Sequence, residues 1–422
     1  MRKIVLRFLL FIVLYHCIVT YVSFGQAWIP PYGILLARDV GRLLFAWAIA
    51  LRYRRSFYAC LLQWYRVRMV CLILFVVGII SSIVLWVDVQ HIMVGMKYSL
   101  YYIIPFLSAL FIWYVRKDLY TKEDFTTWIL RVRRIFVWVL IVGRAWQIAK
   151  NIWPDFFMHF GYGPLGDYVY GQKPPLYYLT WPRGFQRRSG LFSWPNNYGY
   201  LLVVLFGLYR YGIKAFIKQK WRKILLRTLY IVTLAATMSR WAILGVLLEV
   251  LLISYVVYQA KRRIIVAAII AWLLAVAWLS LMKRQSTLAH VQAKLSSLQY
   301  IQQAPRGYGL WSSGPSIHSQ WWILPENFFI QLLMDLWIHG FIIRGWFWLM
   351  VMIAIRAIYR KNPVSRTLLF FLSVGFVGIM FEGLFLHVLE DSMVNYIYFI
   401  VRGIIVGYKS APSVEMKQYI QG

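Results

Sequence analysis

Long apolar runs separated by short basic segments set the rhythm of this chain. Taken at the length needed to cross a hydrocarbon layer, the runs predict helical spans near 4–24, 33–51, 69–87, 96–115, 130–149, 197–216, 224–238, 241–259, 264–282, 341–359, 367–388 and 393–408. That is about twelve spans, and the fold they imply is an all-α polytopic membrane protein forming one membrane domain over residues 1–422. The first run follows a basic start, as a signal peptide would. No small-residue cleavage site follows it and many spans come later, so it is expected to be a retained first helix.

Composition agrees with that pattern: 61% of the residues are hydrophobic and the mean hydropathy is +0.62. The formal net charge of +32 would suit a nucleic-acid binder if it lay on one soluble face. Instead, more than half of the 46 basic residues gather in alternate loops and at the termini. Examples are Arg52/Arg54/Arg55, Arg131/Arg133/Arg134, Lys218/Lys220/Arg222/Lys223 and Lys261/Arg262/Arg263. This is the charge bias that fixes orientation in a membrane, with both termini cytoplasmic, and it also attracts anionic lipid head groups. Nucleic acid is therefore not an expected partner. Cys17, Cys60 and Cys71 are odd in number and lie in or beside apolar runs, so no disulfide framework or paired-cysteine metal site is expected.

Two outer loops break the otherwise short connections: 151–196, and a second from 283 to about 326, or to 340 if it takes in an amphipathic helix starting near Pro325. Loops of this length tend to carry function. Both are rich in aromatics, with Tyr168, Tyr170, Tyr177, Tyr178 and Trp181 in one and Tyr300, Tyr308, Trp311, Trp321 and Trp322 in the other. Such residues serve either as an interfacial belt or as stacking platforms for sugar rings. No internal repeat or inverted pair of broken helices points to a secondary transporter.

Four segments on the predicted outer face carry candidate chemistry. Arg187-Arg188-Ser189-Gly190-Leu191-Phe192-Ser193-Trp194-Pro195-Asn196-Asn197 sets two guanidinium groups ahead of a turn and a helix start, a combination suited to phosphate oxygens. Ser239-Arg240 separates two apolar runs. Pro305-Arg306-Gly307-Tyr308-Gly309 allows a tight loop with close backbone approach. Pro325-Glu326-Asn327 opens the amphipathic helix that runs to Asp335 and Gly340. Alone, each arginine reads as a snorkelling anchor and Glu326 as a helix-start charge; together they read as a pyrophosphate clamp beside a general base. Within the spans, Arg38, Asp39, Arg144, Glu249 and Glu382 are ionisable, and Arg38–Asp39 and Arg144–Glu382 are expected to neutralise each other.

In this order the segments resemble the superfamily of bacterial O-antigen ligases and O-antigen polymerases (Wzy-type). The family's Arg-x-x-Gly-x-Phe-x-x-Pro-Asn segment is similar to Arg187–Asn196, its Ser-Arg followed by a small apolar helix to Ser239–Gly245, and its Pro-x-x-Gly-x-Gly loop to Pro305–Gly309. The family's His-Asn helix start is similar to Glu326-Asn327, with Asp335 and Gly340 beyond; Glu326 takes the histidine's position, His318 lies eight residues earlier, and Trp337 stands where a small residue is usual. The resemblance covers roughly 185–360 and implies a GT-C-like membrane glycosyltransferase with no metal and no cofactor. It implies catalytic roles for Glu326 (or His318), Arg240 and Arg187, and substrate-binding roles for Arg188, Arg306, Asn196 and Asn327. The implied substrate is an undecaprenyl-diphosphate-linked oligosaccharide, polymerised at the outer face of a bacterial cytoplasmic membrane, with membrane lipids and polysaccharide-export or chain-length proteins as partners. The alternatives are ligase-type transfer of finished polymer to an acceptor and, from another class, a lipid-linked oligosaccharide flippase.

Overall fold

In a computed structural model, residues 122–159, 162–163, 176, 178–180, 185–190, 195–256, 262–282, 284–303, 307–309, 327, 329–336 and 374–384 are described, with isolated positions at 51, 76, 79, 80, 83, 340, 342, 345, 348, 349 and 352. The described residues are almost entirely helical. The helices are α1 (Lys122–Ile152), α2 (Pro154–His159), α3 (Pro195–Phe216), α4 (Lys220–Thr237), α5 (Arg240–Val256), α6 (Arg262–Met282), α7 (Arg284–Gln303), α8 (329–336) and α9 (Val374–Gly383). A small antiparallel hairpin, β1 (Tyr178–Thr180) and β2 (Phe185–Arg187), is the exception to the all-α expectation; its register pairs Tyr178 with Arg187.

The apolar runs predicted at 197–216, 224–238, 241–259 and 264–282 coincide with α3 to α6. Within α1, Arg133–Ile152 is long and apolar enough to cross a bilayer, and among the described residues it is the one helix that meets that test. The first four predicted spans and those at 341–359 and 393–408 lie outside the described residues, apart from isolated positions.

α3 is the axis of the described bundle. Every residue from 198 to 209 is buried, which is what an all-round apolar helix requires. It packs against α1, α4 and α5, and α5 packs in turn against α6. Aromatic rings lock the first of these contacts: Tyr209 of α3 stacks on Tyr230 of α4 with centroids 5.3 Å apart, and Phe136 of α1 meets Tyr209 edge-on at 5.3 Å. α4 buries Tyr230, Thr233, Leu234 and Thr237, one stripe at helical spacing. Its outward face is apolar as well, with Ile224, Leu225, Ile231 and Val232 exposed.

α9 reaches the core through glycine. A side chain at Gly375 would strike the Val204 carbonyl of α3, and one at Gly378 would strike Val203 and the Glu249 carboxylate of α5. Glu249 and Glu382 are both fully buried, and they lie within electrostatic range of each other. The expected Arg144–Glu382 pair does not form. Arg144 Nη2 instead donates to the Val232 carbonyl at 3.2 Å, and neither glutamate's carboxylate makes a hydrogen bond. Arg38 and Asp39 lie outside the described residues.

Candidate functional site

One end of the bundle collects the end of α1, the starts of α3, α5 and α7, and the end of α4. Its construction begins at Gly190, which has φ +56°. A side chain there would also meet Tyr198 Cε1 at 2.5 Å, so the left-handed turn and the close approach both demand glycine. The turn delivers Arg187 and Arg188 to opposite flanks. Arg187 Nε donates to the Thr237 carbonyl at 3.2 Å and its Nη2 to Asn196 Oδ1 at 2.6 Å. Arg188 donates through its backbone N–H to the Ala236 carbonyl at 2.8 Å and through Nη1 to Asn151 Oδ1 at 3.0 Å. The hairpin's exit is thereby tied to the C-terminal turn of α4, whose carbonyls would otherwise lack partners.

α4 ends at Met238, a non-glycine residue in left-handed conformation with φ 50°, whose N–H closes on the Ala235 carbonyl. Ser239 follows, its N–H held by Thr237 Oγ1 at 3.2 Å, and its carbonyl accepts from Ile243 to start α5. No linker separates the two helices, so Arg240 is fixed at the first position of α5. It is only 6% exposed. Its Nη1 donates to Thr287 Oγ1 of α7 at 2.7 Å, and its guanidinium lies 4.8 Å from the Trp241 ring centroid. Gly199 permits α3 to press on this corner, since a side chain there would approach Ala242 Cβ to 2.8 Å.

The electrostatics follow from these placements. α3 and α5 both present N-termini here, and neither has an acidic residue in its first turn. Helix N-termini carry partial positive charge and point N–H groups outward. Arg187 touches the carbonyl of Thr237, three residues before Arg240, so the carbonyl that holds the Arg187 guanidinium lies within about 10 Å of the Arg240 Cα. This arrangement suits two or more adjacent phosphate oxygens.

A second group sits at the end of α8. Tyr308 and Gly309 donate their backbone N–H groups to the carbonyls of Met334 (2.8 Å) and Asp335 (3.0 Å), capping the helix. Gly307 and Gly309 have φ +79° and +94°, and a side chain at Gly307 would lie 2.7 Å from the Asp335 carbonyl. The Gly-x-Gly spacing is thus explained by a helix cap. Tyr308 donates its hydroxyl to the Tyr300 carbonyl at 3.1 Å, and burial followed by the nearby Tyr300 raises its phenol above the usual range. Asn327 starts α8: its Oδ1 accepts from Phe329 (2.8 Å) and Ile330 (3.1 Å), an N-cap, while Nδ2 donates to the Leu384 carbonyl at 2.6 Å.

Of the sequence-derived site residues, Arg187, Arg188, Asn196 and Arg240 are assembled around the end of α4. Asn327 is fixed beside the end of α9, with its carboxamide bonded within the protein through both heteroatoms. Glu326, His318, Arg306, Pro305 and Trp337 lie outside the described residues. Sequence reading missed α7. It brings Thr287 to Arg240, and Thr287 in turn donates to the Ser280 carbonyl at 3.0 Å. It also brings Lys294 to the Leu384 carbonyl at 3.0 Å, the oxygen that Asn327 uses. The first loop is anchored separately: Phe157, Tyr162 and Leu176 bury together against Trp146, with Lys150 Nζ 4.1 Å from the Tyr162 ring centroid. Burial raises the Tyr162 phenol above its ordinary range. No model of a known protein family matches the chain, and no curated protein matches it.

Proposed function

We propose that this chain is a bacterial inner-membrane glycosyltransferase that polymerises undecaprenyl-diphosphate-linked oligosaccharides into a surface polysaccharide. The observation that carries the reading is that Arg187 is bonded to Asn196, at the start of α3, and to Thr237, three residues before Arg240 at the start of α5. It is joined by the order of the segments resembling the O-antigen ligase and polymerase superfamily. On the alternating span map, the end of α1 and the starts of α3 and α5 all belong to the outer face.

In the proposed reaction, the acceptor sugar's hydroxyl attacks the anomeric carbon of the donor sugar. The bond from that carbon to the diphosphate oxygen breaks, and the lipid diphosphate leaves with the electron pair. Negative charge grows on the departing oxygen, and Arg187 and Arg240 stabilise it, with Arg188 and Arg306 holding the remaining phosphate oxygens. Glu326 takes the acceptor proton, with His318 as the other candidate base. Arg240 is positioned before substrate arrives, because Thr287 and Trp241 hold its guanidinium; such preorganisation removes reorganisation cost from the barrier.

Arg240→Ala and Glu326→Gln are expected to abolish polymer at unchanged protein level, read as the glycan profile and immunoblot of strains carrying each variant. Near-normal polymer from both variants rejects the assigned roles. Deletion separates the classes: single lipid-linked repeats accumulate if the protein is a polymerase, and full-length lipid-linked polymer accumulates if it is a ligase. Lipid-linked repeats trapped on the cytoplasmic leaflet would indicate a flippase.

A further inference from the structure

α7 has three faces rather than two. Thr287, His290, Lys294 and Ser297 turn toward the protein, where Thr287 meets Arg240, Lys294 meets the Leu384 carbonyl and Ser297 is fully buried. About a quarter of a turn away, Leu288, Val291, Leu295 and Leu298 form an exposed apolar row, 49%, 45%, 57% and 43% exposed. About another quarter of a turn on, Gln292, Ser296, Gln299 and Gln303 form an exposed polar row. The contacts of Thr287 and Lys294 fix the helix's rotation, so the apolar row cannot roll inward.

We infer that α7 lies along the outer surface of the bilayer, at the junction of protein, lipid and water, with lipid chains covering its apolar row. α7 starts two residues after α6 ends at Met282, so the end of that apolar helix sets its depth. The end of α6 is itself exposed and apolar at Leu273, Leu274, Trp278 and Leu281, on the helix whose end joins the start of α7. Adjacent apolar and polar strips on one helix are the form of an element lying in the interface plane. The inference places the site at the rim of the bilayer, with α7 as the wall between Arg240 and lipid.

It rests on the membrane-embedded part of the proposed function and not on glycosyl transfer. The test uses full-length protein in which Cys17, Cys60 and Cys71 are replaced by serine, reconstituted in phosphatidylethanolamine–phosphatidylglycerol vesicles. Nitroxide is attached through Val291→Cys, Leu295→Cys, Gln292→Cys or Gln299→Cys, one at a time. Collision with oxygen, which concentrates in lipid, is expected to exceed collision with a water-soluble nickel chelate severalfold at 291 and 295, and to fall below it at 292 and 299. Nickel access at 291 and 295, or low collision with both reagents there, overturns the inference. The measurement requires no glycosyl transfer, so a failure of the glycosyltransferase reading leaves it intact.

Discussion

Arg187 illustrates how a residue can be legible in sequence while its role is only half so. Its spacing from Asn196 marks a turn before a helix, and the 2.6 Å bond between them bears that out. Its second partner, the Thr237 carbonyl, is 50 residues away and leaves no local trace. The same holds for Thr287 and Lys294, which lie on the polar, protein-facing row of their helix and whose partners lie 47 and 90 residues distant. Gly190 is legible as a turn residue, but its second duty, making room for Tyr198, appears only when α3 is packed. Replacing it tests both duties. Gly190→Ala is expected to cost about 3 kcal/mol, from the left-handed conformation and the collision with Tyr198 combined. The measurement is the thermal midpoint in detergent, and a shift no larger than that of an exposed-site alanine control would reject the double role.

At the scale of elements, hydrophobic period predicts helices well where burial is one-sided or complete, as in α3 to α6. It fails where polar contacts decide the structure. α7 reads as an outer loop because its protein-facing row is polar, and the hairpin is too short to show an alternation. The Asn327 cap is an element-scale device whose two halves can be separated. Asn327→Asp keeps an oxygen for the Phe329 and Ile330 N–H groups but removes the donor to Leu384. Asn327→Ala removes both. The expected cost is about 1 kcal/mol for the aspartate and about 2 kcal/mol for the alanine, since a cap and a buried side-chain hydrogen bond are each worth about 1 kcal/mol. Equal midpoints for the two variants would mean that the cap to Phe329 and Ile330 contributes nothing to stability.

At the scale of the whole molecule, the core carries a cost that the sequence exposes only partly. Glu249 and Glu382 are visible as ionisable groups inside apolar runs, yet the neutralising partner expected for Glu382 is Arg144, which packs elsewhere. What draws them together is Gly378, a notch that has no chemistry of its own. Burying two carboxyls without hydrogen-bond partners is unfavourable, and apolar side chains of similar length relieve it. Glu249→Met with Glu382→Met is therefore expected to raise the thermal midpoint by several degrees, about 1–3 kcal/mol, without loss of fold. A lower midpoint would show that the carboxyls are needed for packing or charge. The Leu384 carbonyl has a different kind of consequence. Lys294 of α7 and Asn327 at the start of α8 both donate to it, so one oxygen pins three helices. Such a pin transmits force: on the inferred placement of α7, a thicker or stiffer bilayer that tilts it would pass the strain through Leu384 into the first turn of α8. On the proposed function, the rate of polymer formation would then register the mechanical state of the membrane around it.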